Sequence, residues 1–171
     1  EEAWEITTQT LSYTNHTIMS EALEVWPVSL FSALLPRIYQ IVCEIDRRFL
    51  VVLNEHYSGD TGKINYMKIL ENDRVKMANL CLACCHKVNG VSALHTKILE
   101  EDVFRDFHQI MPGKFMNVTN GIAYRRWLCQ ANPDLTKFLR ELIGDGFLKD
   151  AAELSKLKDY QDDTSVLNEL Q

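Results

Sequence analysis

Two short stretches hold most of the residues that could do chemistry. YTNHT, residues 13–17, places an amide, an imidazole and two threonine hydroxyls just ahead of the apolar run EALEVWPVSLFSALLP. That density of donors and acceptors suits either a polar turn between two helices or a grip on a polar ligand. CLACCH, residues 81–86, offers three thiols and an imidazole. A zinc site needs ligands converging on a tetrahedron, normally as two pairs separated by a loop. No second pair follows, and Val75, Met77, Leu80 and Leu82 alongside read as core. The stretch is therefore expected to be buried thiol, with a metal- or redox-responsive site at Cys81, Cys84, Cys85 and His86 as the alternative. Cys85 and His86 make a poor nucleophile pair, because adjacent residues of a regular element point apart. His86 and His95 are nine residues apart, about half a turn out of phase on one helix, so they do not share a metal. There is no nucleophile elbow, no glycine-rich phosphate loop and no carboxylate pair that stands out from the acidic background.

These groups must be carried mainly by helices. In PRIYQIVCEIDRRFLVVLNEHY, Ile38, Ile41, Val42, Ile45, Phe49, Val52 and Leu53 recur at helical spacing, which predicts one long helix with a buried stripe. Pro36 suits its first turn, and Gly59, Asp60 and Gly62 mark the loop beyond it. NPDLTKFLRELIGDG predicts a second helix, capped by Asn132, opened by Pro133 and stopped at Gly144. VKMANLCLACC is apolar all round and reads equally as a buried strand or a helix. VSALHTKILE reads as a helix with Val91, Leu94 and Ile98 inward. A strand entering that helix through HKVNG would be a place for a ligand, since helix N-termini present free N–H groups. KFMNVTNGIA is extended, with Asn120-Gly121 as a turn pair. From about Phe147 the tail reads as short, weakly amphipathic helices. The expected class is thus mostly α, with a few short strands.

The 171 residues are 46% apolar and 25% charged, enough to build a folded core. Lys plus Arg number 18 against 24 acidic residues, a net charge of −6, which argues against a nucleic-acid partner. No stretch has the length of an apolar membrane span, and EEAWEITTQT does not resemble a signal peptide. Five cysteines in a chain this long point to reduced thiols in a cytoplasmic protein. The sequence also opens inside an amphipathic pattern without a methionine, which predicts a piece of something longer.

Three phrases together resemble the α-glucan (glycogen, starch and maltodextrin) phosphorylases: YTNHT with EALE-WPV and LLPR at 13–37, MANLCLACCHKVNGVSALHTKIL at 77–99, and NVTNGIAYRRWL with the following NP at 117–133. Their order and separation match that family over nearly the whole chain. The resemblance implies a parent α/β fold of two Rossmann-like lobes, the GT-B architecture. Residues 1–119 would be the end of the N-terminal lobe, and 120–171 the crossover and first helices of the C-terminal lobe. It also implies reversible phosphorolysis of terminal α-1,4-glucosyl units to glucose 1-phosphate, with α-1,4-glucan and inorganic phosphate as substrates and a homodimer as the usual assembly. Pyridoxal phosphate is the family cofactor, and its phosphate group, rather than its ring, takes part in proton transfer. By the same resemblance His16 and Asn120 contact the glucosyl unit and its 6-hydroxyl, Val91 packs near it, and Trp127 lies near the cofactor. The Schiff-base lysine and the phosphate-gripping basic residues align outside this chain, so no catalytic residue is expected within it and the chain alone is expected to be inactive; the alternative is a non-catalytic helical interaction module derived from such an enzyme.

Read locally, the same residues are plainer: His16 a turn or cap, Asn120 a turn residue before Gly121, Trp127 core. His86, within a shared phrase, is expected to satisfy backbone groups with its side chain. The chain departs from the family pattern at Ala123-Tyr124, where Thr-Pro is usual, at Cys84-Cys85, where Gly-Ser is usual, and at Ser20, where proline is usual. Around Cys43, Asp46 and Arg47 the aromatic and amide residues of the animal glycogen-storage site are missing, which implies a bacterial-type enzyme.

Overall fold

EEAWEITTQT coils into α1 (Glu2–Thr10), but the polar YTNHT that follows is not a turn between helices. Ser12–Asn15 is strand β1, with Tyr13 and Asn15 directed inward and Ser12 and Thr14 outward. This alternation is the period of an extended chain with one buried face. The structure is a computed structural model that describes residues 1–170. It divides into two units, Glu1–Asn120 and one that begins at Gly121.

In the first unit β2 (Val25–Pro27) leads into α2 (Val28–Leu34) and then α3 (Pro36–His56), the predicted long helix, with Pro36 in its first turn. Its buried line is Val42, Asp46, Phe49 and Leu53. The expected stripe is corrected at Ile38, Ile41 and Val52, which are exposed because the inward face is set by what packs on it. Asp46 sits in that face because its Oδ1 accepts from the backbone N–H groups of Ile69 (2.7 Å) and Leu70 (3.2 Å). Two charge-assisted bonds offset the desolvation of a buried carboxylate.

After α4 (Thr61–Met67), β3 (Leu70–Glu71) and β4 (Arg74–Lys76) form a tight hairpin, which the sequence reading missed. Its two turn residues, Asn72 and Asp73, have φ of 48° and 56°, the left-handed region that Asn and Asp tolerate better than other side-chain-bearing residues. β2, β4 and β3 make one small antiparallel sheet.

The ambiguous segment resolves as helix: α5 is Met77–Cys84, and the strand is Lys87–Gly90, β5. Val91 and Ser92 lead to α6 (Ala93–Ile98), followed by a π-helical stretch to Val103, α7 (Arg105–Ile110) and β6 (Phe115–Asn117). The expected inward face of 91–100 is also corrected. Leu94 is 69% exposed, whereas Thr96 and Leu99, three residues apart, are buried and mark the face that packs inward. Asn120-Gly121 makes no turn, and Gly121 does not adopt a positive φ.

β1, β5 and β6 form a parallel sheet with β5 in the middle, in the register Tyr13↔Val88↔Phe115 and Asn15↔Gly90↔Asn117. Val88 and Phe115 face a core that includes Phe49, Leu53, Leu82, Leu99 and Phe107. Phe49 and Phe107 stack at 6.0 Å. Each such buried side chain stabilises the unit by about 1.5–3 kcal/mol.

In the second unit a π-helical turn (Arg125–Gln130) precedes α8 (Pro133–Ile143). Asn132 Oδ1 accepts from the Leu135 N–H at 3.1 Å, Pro133 opens the helix, and Gly144 ends it at φ 79°. Short 3-10 segments at Gly146–Leu148 and Ala151–Tyr160 and the helix α9 (Thr164–Glu169) complete it. Among the described residues no helix is long and apolar enough to cross a membrane. The chain is mostly helical with a few short strands in two small sheets, as the sequence implied.

Candidate functional site

A parallel sheet directs its strand ends the same way, and ligands in open α/β sheets bind outside the carboxyl ends of the strands. Here His16 follows the last residue of β1, Val91 follows the last residue of β5, and Asn120 lies just beyond β6. All three fall on one edge of the first unit. With strands about 4.8 Å apart, the outer two stand about 10 Å apart, close enough for side chains to meet over the middle strand.

Each position is held by a different device. Asn15 is buried, and its Oδ1 accepts from the Thr17 N–H at 2.9 Å, which bends the chain around His16. Its Nδ2 donates to the Tyr13 hydroxyl at 3.0 Å. Burial chiefly, with the nearby thiols as a lesser cause, raises the Tyr13 phenol above its usual range. Past β6, the Val118 N–H donates to Asn89 Oδ1 at 2.7 Å and to the Gly90 carbonyl at 3.2 Å. The Asn120 N–H donates to the Val91 carbonyl at 3.0 Å. Gly90 is required where α6 crosses the sheet, since a Cβ there would lie 2.1 Å from Thr96 Oγ1 and 2.8 Å from Thr96 Cα.

Among the described residues the side chains of His16 and Asn120 make no hydrogen bond, and both are exposed. The edge is also uncharged. Residues 14–20 (TNHTIMS), 89–96 (NGVSALHT) and 117–120 (NVTN) contain no Asp, Glu, Lys or Arg, in a chain that is 25% charged. Amides, hydroxyls and an imidazole both donate and accept, which matches a neutral polyhydroxylated ligand better than an ion.

Trp127 lies in the second unit, on the π-helical turn, with its indole 62% exposed rather than in a core. The Arg126 guanidinium stands 5.6 Å from the ring centroid. Arg125 turns the other way, its guanidinium 4.9 Å from the Tyr124 ring centroid, so one cation stands beside the exposed indole.

CLACCH behaves as packing. Burial pushes the thiols up, Cys81 to about 11 and Cys84 to about 12, so they are protonated at neutral pH. Cys85 is buried while His86 is exposed, and among the described residues no three His, Cys, Asp or Glu side chains could hold a metal ion. The expected side-chain role of His86 is corrected: its backbone N–H, not its imidazole, bonds to the Leu11 carbonyl at 2.6 Å. At the strand edge the imidazole that serves the backbone is His95, whose Nδ1 accepts from the Val91 N–H at 3.1 Å. The sequence reading missed this role, although Ser92 three residues before it was a capping signal.

The free, hydrogen-bonding side chains of the first unit thus gather at the ends of three parallel strands. The carbohydrate phosphorylase family model matches residues 1–171, and the chain belongs to that family. It is 48% identical to the glycogen phosphorylase of Bacillus subtilis (strain 168) over 171 residues, all of this chain and 21% of that protein. It is 45% identical to the muscle form of glycogen phosphorylase from Bos taurus and 43% identical to that from Homo sapiens, each over 99% of this chain and 20% of the relative. The chain thus spans about a fifth of the length of these relatives.

Proposed function

We propose that this chain is the part of an α-glucan phosphorylase that supplies one wall of the glucose pocket. Residues 1–119 close the N-terminal lobe of a GT-B fold, and 120–171 form the crossover and first helices of the C-terminal lobe. The observation that carries the reading is the strand edge, where His16, Val91 and Asn120 follow three adjacent parallel strands and no formal charge intrudes. His16 and Asn120 bond the glucosyl unit, whose 6-hydroxyl both donates and accepts, and Val91 packs against the sugar. Holding the ring in one pose lowers the entropy cost of bringing phosphate to the anomeric carbon, and the pocket walls exclude water that would hydrolyse the glucosyl unit instead.

The reaction is reversible phosphorolysis of a terminal α-1,4-glucosyl unit to glucose 1-phosphate, through an oxocarbenium-like state. By the family resemblance Trp127, in the second unit, lies near pyridoxal phosphate, a reading that its exposed indole and neighbouring Arg126 support. When bound, that cofactor supplies a phosphate group able to hold and move a proton. The same reading makes the full-length protein a cytoplasmic homodimer acting on glucan and phosphate, with no nucleic-acid or membrane partner. The storage-site positions are engaged elsewhere: Asp46 binds backbone in the core, and Arg47 pairs with Glu44 at 2.8 Å. That supports shorter or unanchored glucans as substrate.

The test is a chimera in which these 171 residues replace the matching segment of the Bacillus subtilis enzyme. Glucose 1-phosphate release from maltoheptaose and phosphate should fall roughly 10- to 100-fold in kcat/KM for His16→Ala and for Asn120→Ala. Unchanged values in both variants would overturn the assignment. The isolated chain should release no glucose 1-phosphate.

A further inference from the structure

Val91 has both backbone polar groups tied to other parts of the edge. Its carbonyl accepts from the Asn120 N–H, and its N–H donates to His95 Nδ1. The His95 N–H in turn donates to Ser92 Oγ at 3.0 Å, so the hydroxyl caps α6 while the imidazole reaches one residue further back than in a capping box, to Val91. A ring nitrogen that accepts carries no proton, which fixes the neutral imidazole with its proton on Nε2. Nε2 is buried without a hydrogen-bond partner among the described residues.

A helix cap alone does not explain this choice. Glutamate is common at this position of a capping box and leaves no orphan donor behind. Glutamate would, however, bring a carboxylate to an edge that is otherwise free of charge. The imidazole reaches back with a neutral acceptor, at the cost of one unsatisfied donor.

We infer that His95 is a positioning residue of the sugar pocket: by holding the Val91 peptide it sets the height at which Asn120 stands over the central strand. This rests on the glucose-pocket reading above. His95 touches no substrate. It fixes Val91, Val91 fixes the Asn120 backbone, and Asn120 meets the sugar.

Three measurements test it. Nitrogen-15 NMR of the wild-type 171-residue chain at about pH 8 should show the His95 proton on Nε2; a proton on Nδ1 overturns the inference whatever any variant does. Hydrogen exchange should show the Val91 and Asn120 amides losing about tenfold protection in His95→Phe, which keeps a ring but no acceptor, and regaining it in His95→Asn, whose amide oxygen branches from the same carbon. Unchanged protection in His95→Phe overturns it. In the chimera, His95→Phe should raise KM for maltoheptaose about tenfold, leave KM for phosphate unmoved, and be rescued by His95→Asn. If Asn120→Ala raises the glucan KM and His95→Phe does not, the inference fails while the sugar pocket stands. If neither does and the exchange results hold, the pocket reading is what has failed.

Discussion

The strand edge and the CLACCH helix carry comparable numbers of reactive-looking groups and use them in opposite ways. On α5 the thiols are packed in and pushed up by burial, and Asn79 spends its amide on the carbonyls of Tyr66, Met67 and Lys68 at 2.9–3.1 Å. At the edge, Asn15, Asn89 and His95 are also spent on backbone, but His16 and Asn120 have side chains with nothing bound. Polar side chains satisfied within the protein hold its shape; those left free on a braced backbone are available to a ligand. Residue type does not separate the two groups. Their hydrogen-bond partners do.

The largest effect expected from breaking this contrast is at Gly90, where the bracing and the core meet. Gly90→Ala would force a methyl group into Thr96, including its backbone at 2.8 Å. A loss of about 3 kcal/mol is expected, read as a lower denaturant midpoint. A midpoint close to wild type would mean that α6 shifts freely against β5, and the edge would not be rigid.

Next comes a direct comparison of two asparagines. Asn79→Ala leaves three carbonyls at the end of α4 without their donor and should cost about 2 kcal/mol. Asn120→Ala removes a side chain that binds nothing in the protein and should cost less than about 0.5 kcal/mol, as should His16→Ala. Equal losses at Asn79 and Asn120 would show that the carboxamide of Asn120 has a structural partner, and the distinction drawn above would not hold.

How much of this the sequence discloses follows the range of the forces. Local devices were legible: Pro36 and the spacing behind it for α3, and Asn132, Pro133 and Gly144 for α8. The family phrases pointed to His16, Val91 and Asn120. Two local features escaped. Asn72-Asp73 closes a hairpin through two left-handed residues, a signal present in ENDR but without the usual glycine. VKMANLCLACC gave no period because nearly every position is apolar, and its helix was decided by packing. The uncharged edge was hidden for another reason: it is assembled by pairing β1 with β5 across 75 residues, as between Thr14 and Asn89, so no single window contains it.

The smallest effect concerns the thiols. Cys81 and Cys84 are protonated at neutral pH because burial disfavours the thiolate, so alkylation by iodoacetamide at about pH 8 should be more than tenfold slower than for a free cysteine and should rise about tenfold per pH unit. The linkage to stability has a definite sign. The unfolded thiols ionise near 9.0, whereas the folded ones hold their protons to about 11 and about 12. Between those values the folded state binds more protons than the unfolded one, so stability contributed by these groups is present below pH 9 and declines as pH rises. A cysteine-free variant at 81 and 84 should lose part of that alkaline decline. Rapid labelling at neutral pH would instead mean accessible thiolates, returning the redox- or metal-responsive reading of CLACCH to contention and removing one side of the contrast with the strand edge.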